Sequence, residues 1–362
     1  MSLTADRRIE LGRLGWDEAW AAALATHAAA GLVRGRITAQ LRGSYTVFTE
    51  VGICPAELAG RLRHTSASPA DVPAVGDWVV VDASADTPVI RAVLPRRTTI
   101  ARKAPGRETL PQVIAANVDV VLVASPLDRG LNSRGIDRYL TAAWDSGARP
   151  VVALTKADLD ADAESAATEI TANSFVPAYA VSAVTGRGLE EIRAELAGDR
   201  TLVLLGPSGA GKSTLVNRLL GAEHQVTAAV RDDGKGRHAT THRELFLVPG
   251  GGIVIDTPGL REVGLWAAEA TGTDHTFADV AELAAGCRFA DCAHETEPGC
   301  AVRAAIEDGR LDPARLESYR KLERELAWNE RRRDGRAIAE VRRAHRRQTR
   351  SIRRVSEGPW TS

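Results

Sequence analysis

The sequence predicts an α/β protein in three parts: a small β-barrel, a mostly parallel sheet layered with helices, and a helical domain built around a cysteine–histidine cluster. Three observations predict it. Short β-prone stretches broken by turn residues fill residues 31–100. Apolar runs rich in Val, Ile and Leu alternate with helical stretches over residues 112–265. Three cysteines and a histidine then crowd into the segment from Cys287 to Cys300. The length of 362 residues allows two or three domains. With 44% hydrophobic and 26% charged residues, the chain has the composition of a globular protein, not a disordered one.

Residues 1–30 are rich in alanine and read as a helical extension, with Asp17 capping the run from Glu18. No apolar run reaches the ~20 residues of a membrane span. Met1 to Gly12 carries charge without an apolar core, unlike a secretory signal. A cytoplasmic protein without a membrane partner is expected. Arg34–Leu41, Tyr45–Val51, Asp77–Val81 and Val89–Leu94 are β-prone, and Gly43-Ser44, Pro73 and Gly76 punctuate them. Such strands fit a small barrel such as an OB-fold, a pattern other small β domains share. Val118–Ala124, Val151–Leu154, Val176–Val181, Thr201–Leu205 and Ile253–Ile255 predict a buried, mostly parallel sheet. Residues 266–362 read as helical. Asp312-Pro313 is a helix start, and Leu316, Tyr319, Leu322 and Leu326 mark one apolar face. The expected division is 1–30 extension, 31–104 barrel, 112–270 sheet domain, and 271–362 helical domain with a basic tail.

Gly206-Pro207-Ser208-Gly209-Ala210-Gly211-Lys212-Ser213, followed by Thr214, matches the phosphate-binding P-loop. An apolar strand precedes it and the helical run Leu215–Leu220 follows, which is the context the motif requires. Glycines let backbone N–H groups turn inward around phosphate oxygens, and the helix N-terminus adds positive potential. Lys212 would reach the β and γ phosphates, and the Ser213 hydroxyl would ligate Mg²⁺. Asp256-Thr257-Pro258-Gly259 ends the strand Gly252–Ile255. Beside a P-loop it reads as a second phosphate motif, with Asp256 holding Mg²⁺ and the Gly259 N–H touching the γ-phosphate.

Thr155-Lys156-Ala157-Asp158 follows another predicted strand. A carboxylate at Asp158 accepts hydrogen bonds from guanine N1–H and the exocyclic amine, which adenine does not offer. The Lys156 stem can cover the base face. Ser182-Ala183, at the end of the next strand, can offer backbone N–H to guanine O6. The two motifs together point to guanine. A binding module with a slow nucleotide switch stays open at this level. So does a P-loop ATPase or kinase, although Asp158 argues against the latter.

In an ordinary small GTPase the phosphate motifs come before the base-reading motifs. Here T-K-A-D and S-A come first, then the P-loop, then D-T-P-G. That order resembles the circularly permuted GTPases. Three flanking features narrow the likeness: Asn117-Val118-Asp119, Gly236-Arg237-His238-Ala239-Thr240-Thr241, and Cys287-x4-Cys292-x-His294-x5-Cys300. Together they resemble the RsgA (YjeQ) family of ribosome small subunit-dependent GTPases, over residues 31–330. The resemblance implies an N-terminal OB-fold, a central circularly permuted P-loop GTPase and a C-terminal zinc-binding domain. It implies hydrolysis of GTP to GDP and phosphate, stimulated by the small (30S) ribosomal subunit. The implied role is late-stage 30S maturation, as a checkpoint that releases assembly factors. The expected partners are the 30S subunit, its rRNA and GTP or GDP, with the chain acting as a monomer.

The family motif usually starts with Asn where this chain has Thr155. Asn helps tie the base loop to the P-loop, so the departure bears on loop rigidity. Ala239 stands where a Thr is usual, leaving Thr240 and Thr241 as candidate switch ligands for Mg²⁺; Thr240 is the choice here. Many GTPases orient the attacking water with a Gln after Asp-x-x-Gly, but Leu260 follows Gly259 and cannot hydrogen-bond. His238 resembles the family's proposed catalytic histidine, and its near-neutral pKa suits proton handling. The Gly and charge content of 231–237 predicts a segment that is mobile without nucleotide.

Cys287, Cys292, His294 and Cys300 form a closed N/S set, which suits one structural Zn²⁺ and leaves no position for a catalytic water. Cys54 stands apart and reads as a small apolar residue. Net charge is zero, yet Arg331 to Arg354 holds eleven Arg against Asp334 and Glu340. So one-sided a run seeks phosphate, and rRNA is the natural partner, with the barrel strands as a second contact. The barrel's aromatics, Tyr45, Phe48 and Trp78, are candidates for either base stacking or core.

Overall fold

The computed structural model describes residues 11–27, 31–41, 44–50, 52–65, 68–84, 87–103, 111–221, 243–257 and 270–328. After a short 3-10 turn at Leu11–Leu14, helix α1 (Glu18–Ala25) starts where Asp17 Oδ1 accepts the Trp20 N–H at 3.1 Å. Two indoles reach the barrel: Trp16, just before the helix, meets Trp78 edge-on at 4.7 Å, and Trp20 on α1 lies 6.4 Å from the same ring. The N-terminal extension thus covers one end of the barrel.

Strands β1 (Leu32–Leu41), β2 (Ser44–Thr49), β3 (Gly52–Leu58), β4 (Trp78–Asp82) and β5 (Val89–Val93) form the barrel, with helix α2 (Gly60–Thr65) between β3 and β4. The ladder runs β1-β2-β3-β5-β4 and closes because β1 also pairs with β4. Every pair is antiparallel except β3 with β5, which gives the five-stranded OB-fold. Sequence reading missed β3, because Pro55 lies within it. Pro55 fits because β5 pairs only with Glu57 and Leu58, leaving the missing N–H without a ladder partner on that side. Tyr45, Phe48 and Trp78 are all buried, so these three rings build the core and are not a stacking platform.

Strands β6 (Thr99–Lys103) and β7 (Pro111–Ala116) pair as a separate hairpin at the junction with the sheet domain. That domain holds β8 (Val120–Pro126), β9 (Arg149–Thr155), β10 (Ala178–Val181), β11 (Thr201–Leu205), β12 (Arg243–Leu247) and β13 (Ile253–Asp256). Their order is β10-β9-β8-β11-β13-β12, parallel throughout except for β12. Helices α3 (Ser133–Asp145) and α4 (Ala163–Ser174) cover one face; α5 (Leu189–Glu195) and α6 (Lys212–Leu220) cover the other. The pleat explains the continuous apolar runs. Val121 and Val123 pack with Ile136 and Leu140 on one side, while Val120 and Leu122 pack with Ile192 and Leu219 on the other.

The C-terminal part consists of α7 (Ala270–Thr276), α8 (Ala278–Ala284), α9 (Ala301–Glu307) and α10 (313–328). Asp312 Oδ1 accepts the Ala314 N–H at 2.8 Å where α10 begins, and Leu316 and Leu322 are buried with Val280 and Val302. Arg315 joins this part to the sheet domain. Its guanidinium pairs with Asp137 on α3 at 2.8 Å and Asp279 on α8 at 3.0 Å, donates to the Thr276 carbonyl at 2.6 Å, and lies over the Phe277 ring.

The barrel and the sheet domain share one continuous sheet, because β1 pairs antiparallel with β12 at Ala39↔Glu244 and Gln40↔Arg243. Beneath that seam lies Arg36, a fully buried side chain on β1. It donates to the carbonyls of Gly76 and Asn117, each at 3.2 Å, to Thr201 Oγ1 at 2.9 Å, and to the Leu14 carbonyl. Removing the guanidinium leaves several buried acceptors unsatisfied. Arg36→Met is therefore expected to cost about 3 kcal/mol of stability in urea unfolding. Arg36→Lys should recover little, since one nitrogen cannot reach acceptors on four segments. A native-like unfolding midpoint in Arg36→Met would rule out this role.

Candidate nucleotide site and metal cluster

The sheet order reverses direction between β8 and β11. From β8 the chain moves outward through β9 and β10; it then returns to β11 beside β8 and proceeds to β13 and β12 on the other side. Open α/β sheets bind ligands at the carboxyl ends of the strands at such a switch point. The P-loop leaves β11 there. Gly206 sits at φ 143°, and a Cβ on it would lie 2.3 Å from the Ala124 carbonyl at the end of β8, so only glycine fits. Gly209 and Gly211 also have positive φ, and α6 begins at Lys212. Pro207 is half-buried, Ala210 is buried, and Ser208, Gly209, Ser213 and Thr214 are exposed at the mouth. The Lys212 ammonium donates to the Gly206 and Pro207 carbonyls at 2.6 and 2.7 Å, which folds it over the loop.

Asp256 ends β13 beside this loop. Burial raises its carboxyl above the usual range, and the nearby Lys212 charge opposes that shift. The half-buried Asp256 carboxylate and the exposed Ser213 hydroxyl are oxygen donors of the kind Mg²⁺ takes. His238, Thr240 and Gly259 lie outside the described residues, as does the Arg331–Arg354 tail.

The residues expected to read the base converge on the same mouth. β9 runs beside β8, so Thr155 emerges next to the P-loop, and its hydroxyl donates to the Ala210 carbonyl at 2.7 Å. The tie that Asn makes in the usual motif is made here by a shorter side chain, because Thr155 is buried directly against that carbonyl. Lys156 follows in a left-handed conformation, φ 60° and ψ 35°, with its ammonium 2.5 Å from Asp128 Oδ2. Asp158 is exposed. Its Oδ1 accepts the Ser182 hydroxyl at 2.5 Å, while Oδ2 accepts nothing from the described residues. Ser182 is itself buried in a tight turn, where the Gly186 N–H donates to its carbonyl and the Thr185 N–H to its hydroxyl. Ala183 follows, half-buried. Sequence reading missed Asp128; its only signal was an acid two residues beyond the β8 run.

Cys287, Cys292, His294 and Cys300 come together within 4.8 Å of one another and could hold a metal ion. Cys287 Sγ is 3.6 Å and Cys300 Sγ 3.5 Å from His294 Nδ1, and the two sulfurs are 3.9 Å apart. A tetrahedral ion with bonds of ~2.3 Å to sulfur and ~2.05 Å to nitrogen requires edges of about 3.8 and 3.5 Å. The three distances among Cys287, His294 and Cys300 match one face of that tetrahedron. His294 turns inward at φ 59°, and Arg320 on α10 donates to its carbonyl.

The RsgA GTPase family profile matches residues 93–266. A small ribosomal subunit biogenesis GTPase RsgA of Streptomyces coelicolor is 48% identical, with 93% of this chain and 92% of the relative covered. Its namesake in Opitutus terrae is 46% identical over 90% of this chain and 92% of the relative. Among solved structures, YjeQ from Thermotoga maritima superimposes with a TM-score of 0.61 at 27% identity, over 82% of this chain and 99% of that one. YloQ, a circularly permuted GTPase, gives 0.60 at 27% identity over 84% and 98%. With its permuted motifs gathered at one switch point and its relatives matched along nearly their whole length, this chain belongs to the RsgA GTPase family and is a GTP-hydrolysing enzyme.

Proposed function

We propose that this chain hydrolyses GTP on the small (30S) ribosomal subunit, in late-stage maturation of that subunit. It would act as a checkpoint whose turnover releases assembly factors. The observation that carries the guanine part is the meeting of two motif sets: Thr155 is tied to the P-loop, and Asp158 is held by Ser182 at the same mouth. The ribosomal part is supported by relatives named as small ribosomal subunit biogenesis GTPases. Asp158 reads guanine N1–H and the exocyclic amine, Lys156 covers the base, and the Ser182-Ala183 backbone meets O6. The P-loop from Gly206 to Thr214 cradles the phosphates. Ser213, Thr240 and Asp256 would hold Mg²⁺, which supplies charge neutralisation between the β and γ phosphates. The Gly259 N–H meets the γ-phosphate, and His238 positions the attacking water.

In this reading the small subunit orders the segment carrying His238 and Thr240, so turnover is slow without it. The metal of the cysteine–histidine cluster is Zn²⁺, one per chain, with a structural role. The Arg331–Arg354 tail adds non-specific attraction to rRNA phosphates. The protein works as a cytoplasmic monomer.

Asp158→Asn should weaken GTP binding by about two orders of magnitude, as two hydrogen bonds to a charged acceptor are lost. Xanthosine triphosphate should gain, because the new amide donates where the acid accepted. Competition binding reads both; equal affinity of the native protein for ATP and GTP would refute guanine selection.

Metal analysis of purified protein should return one zinc per chain, and Cys300→Ser should lower both metal content and melting temperature. Protein with no zinc and freely reactive thiols at all four cysteines would contradict the metal assignment.

Single-turnover GTP hydrolysis on saturating small subunits should be about a hundredfold slower in His238→Ala, with nucleotide and subunit binding kept. Lys212→Ala should lose both tight nucleotide binding and turnover. Similar rates for native protein and His238→Ala would move the water-positioning role to the ribosome or to a backbone group.

A further inference from the structure

We propose that Asp128 is a positioning residue for guanine recognition: its carboxylate anchors the Lys156 ammonium, so that the Lys156 stem lies across the face of the base. This rests on the reading of Lys156 as the base cover.

The backbone brings the two residues together. β8 and β9 are parallel neighbours with Pro126 opposite Thr155, and the pairing continues where the Leu127 N–H donates to the Thr155 carbonyl at 3.0 Å. Asp128 and Lys156 are the next residues on each strand, at the point where both leave the sheet. Their charges meet at 2.5 Å. Lysine carries a flexible four-carbon stem with a single charged end. Holding that end fixes where the stem runs, and the ordering cost is then not charged to nucleotide binding.

Two further features separate this pair from an ordinary surface salt bridge. Lys156 is held at φ 60°, a conformation that a non-glycine residue adopts only when its surroundings impose it. The residue before it and the one two positions after it are also fixed, Thr155 through Ala210 and Asp158 through Ser182. Asp128 therefore supplies the third tether of one short loop, from a third segment of the chain. The Lys156 charge also keeps the Asp128 carboxyl below the usual carboxylate range, so the anchor stays ionised at neutral pH.

The test is release of a fluorescent GDP from the full-length protein, followed by stopped flow. Asp128→Asn should speed release about threefold to fivefold, the scale of a partly exposed ion pair. Asp128→Glu should restore part of the loss. Lys156→Met keeps the stem and removes the charge, so adding Asp128→Asn to it should change nothing further. The idea is overturned if Asp128→Asn releases GDP at the native rate. It is equally overturned if the substitution speeds release as much in the Lys156→Met background, because Asp128 would then act without the lysine. Competition by ATP on the native protein checks the underlying guanine reading separately: a chain that prefers GTP but ignores Asp128 loses only this proposal.

Discussion

A buried charged guanidinium holds the architecture together. Arg36 lies on a barrel strand, yet its acceptors belong to the N-terminal turn, the loop before β4, the loop before β8 and the first residue of β11. Burial pushes its pKa down to about 10, while Asp119 and Asp77 favour the charged form, so it remains ionised at neutral pH. Buried charge is tolerated only when its donors are satisfied. Here satisfaction requires that three parts of the chain arrive together. The Asn117-Val118-Asp119 sequence serves the same junction. Asn117 accepts the Arg97 N–H and donates to the Gly76 carbonyl, and Asp119 accepts the Thr201 N–H at 2.7 Å. Asp77 is buried under a bidentate pair with Arg96. The joint between barrel and sheet domain is polar and densely hydrogen-bonded, which makes it specific in register where apolar packing alone would slide.

That joint lies at the root of β8 and β11, and the nucleotide site lies at their other end. The two strands run parallel between them, paired from Val120↔Leu202 to Val123↔Leu205. Their side chains are buried on both faces, so neither can shift without disturbing helices above and below. The close approach of Gly206 to the Ala124 carbonyl then sets the height of the P-loop against β8. One strand further out, Thr155 sets the base loop against the P-loop. Position is passed along the sheet by contacts that each allow one arrangement.

Much of this was legible in the sequence because it depends on local chemistry. The P-loop, the Thr155–Asp158 motif and the cysteine–histidine cluster need particular residue types at particular spacings, and those survive any permutation of the chain. The central strands were legible because burial on both faces leaves uninterrupted apolar runs. β3 was not, since Pro55 is acceptable only on a strand stretch without a second neighbour. β12 was not, since Arg243 and Glu244 at its start read as loop; it is a strand because β13 and β1 flank it on both sides. Arg36 lies in a stretch that the sequence marks only as β-prone, and nothing local tells that its four acceptors will close around it. Thr155 shows the opposite case. By residue type it weakened the expected tie between loops, but its burial against Ala210 restores that tie with one hydroxyl.

The permutation gains physical sense from where the strands lead. In this order the phosphate-side strands, β11, β12 and β13, come last in the domain, and the base-side strands come first. Among the described residues, the element after Asp256 is α7, which packs on α3 through the Thr141–Thr276 hydroxyl contact at 3.0 Å. Among the described residues, the element after the P-loop helix is β12, whose outer edge is paired with barrel strand β1. Both stretches that connect the phosphate motifs therefore end on elements bonded to a flanking part. The base-side strands, by contrast, begin at the rigid Arg36 joint. Their loops are held by Ala210, Ser182 and Asp128, all within the domain. The two halves of the site thus have different mechanical surroundings. The base-side strands start at the Arg36 joint and have between them α3, on which the cysteine–histidine part docks through Asp137, while β12 on the side of the phosphate motifs is paired with the barrel. Both halves of the site are therefore bonded to a flanking part, one through the β1–β12 pairing and the other through α3 and the Arg315 ion pair.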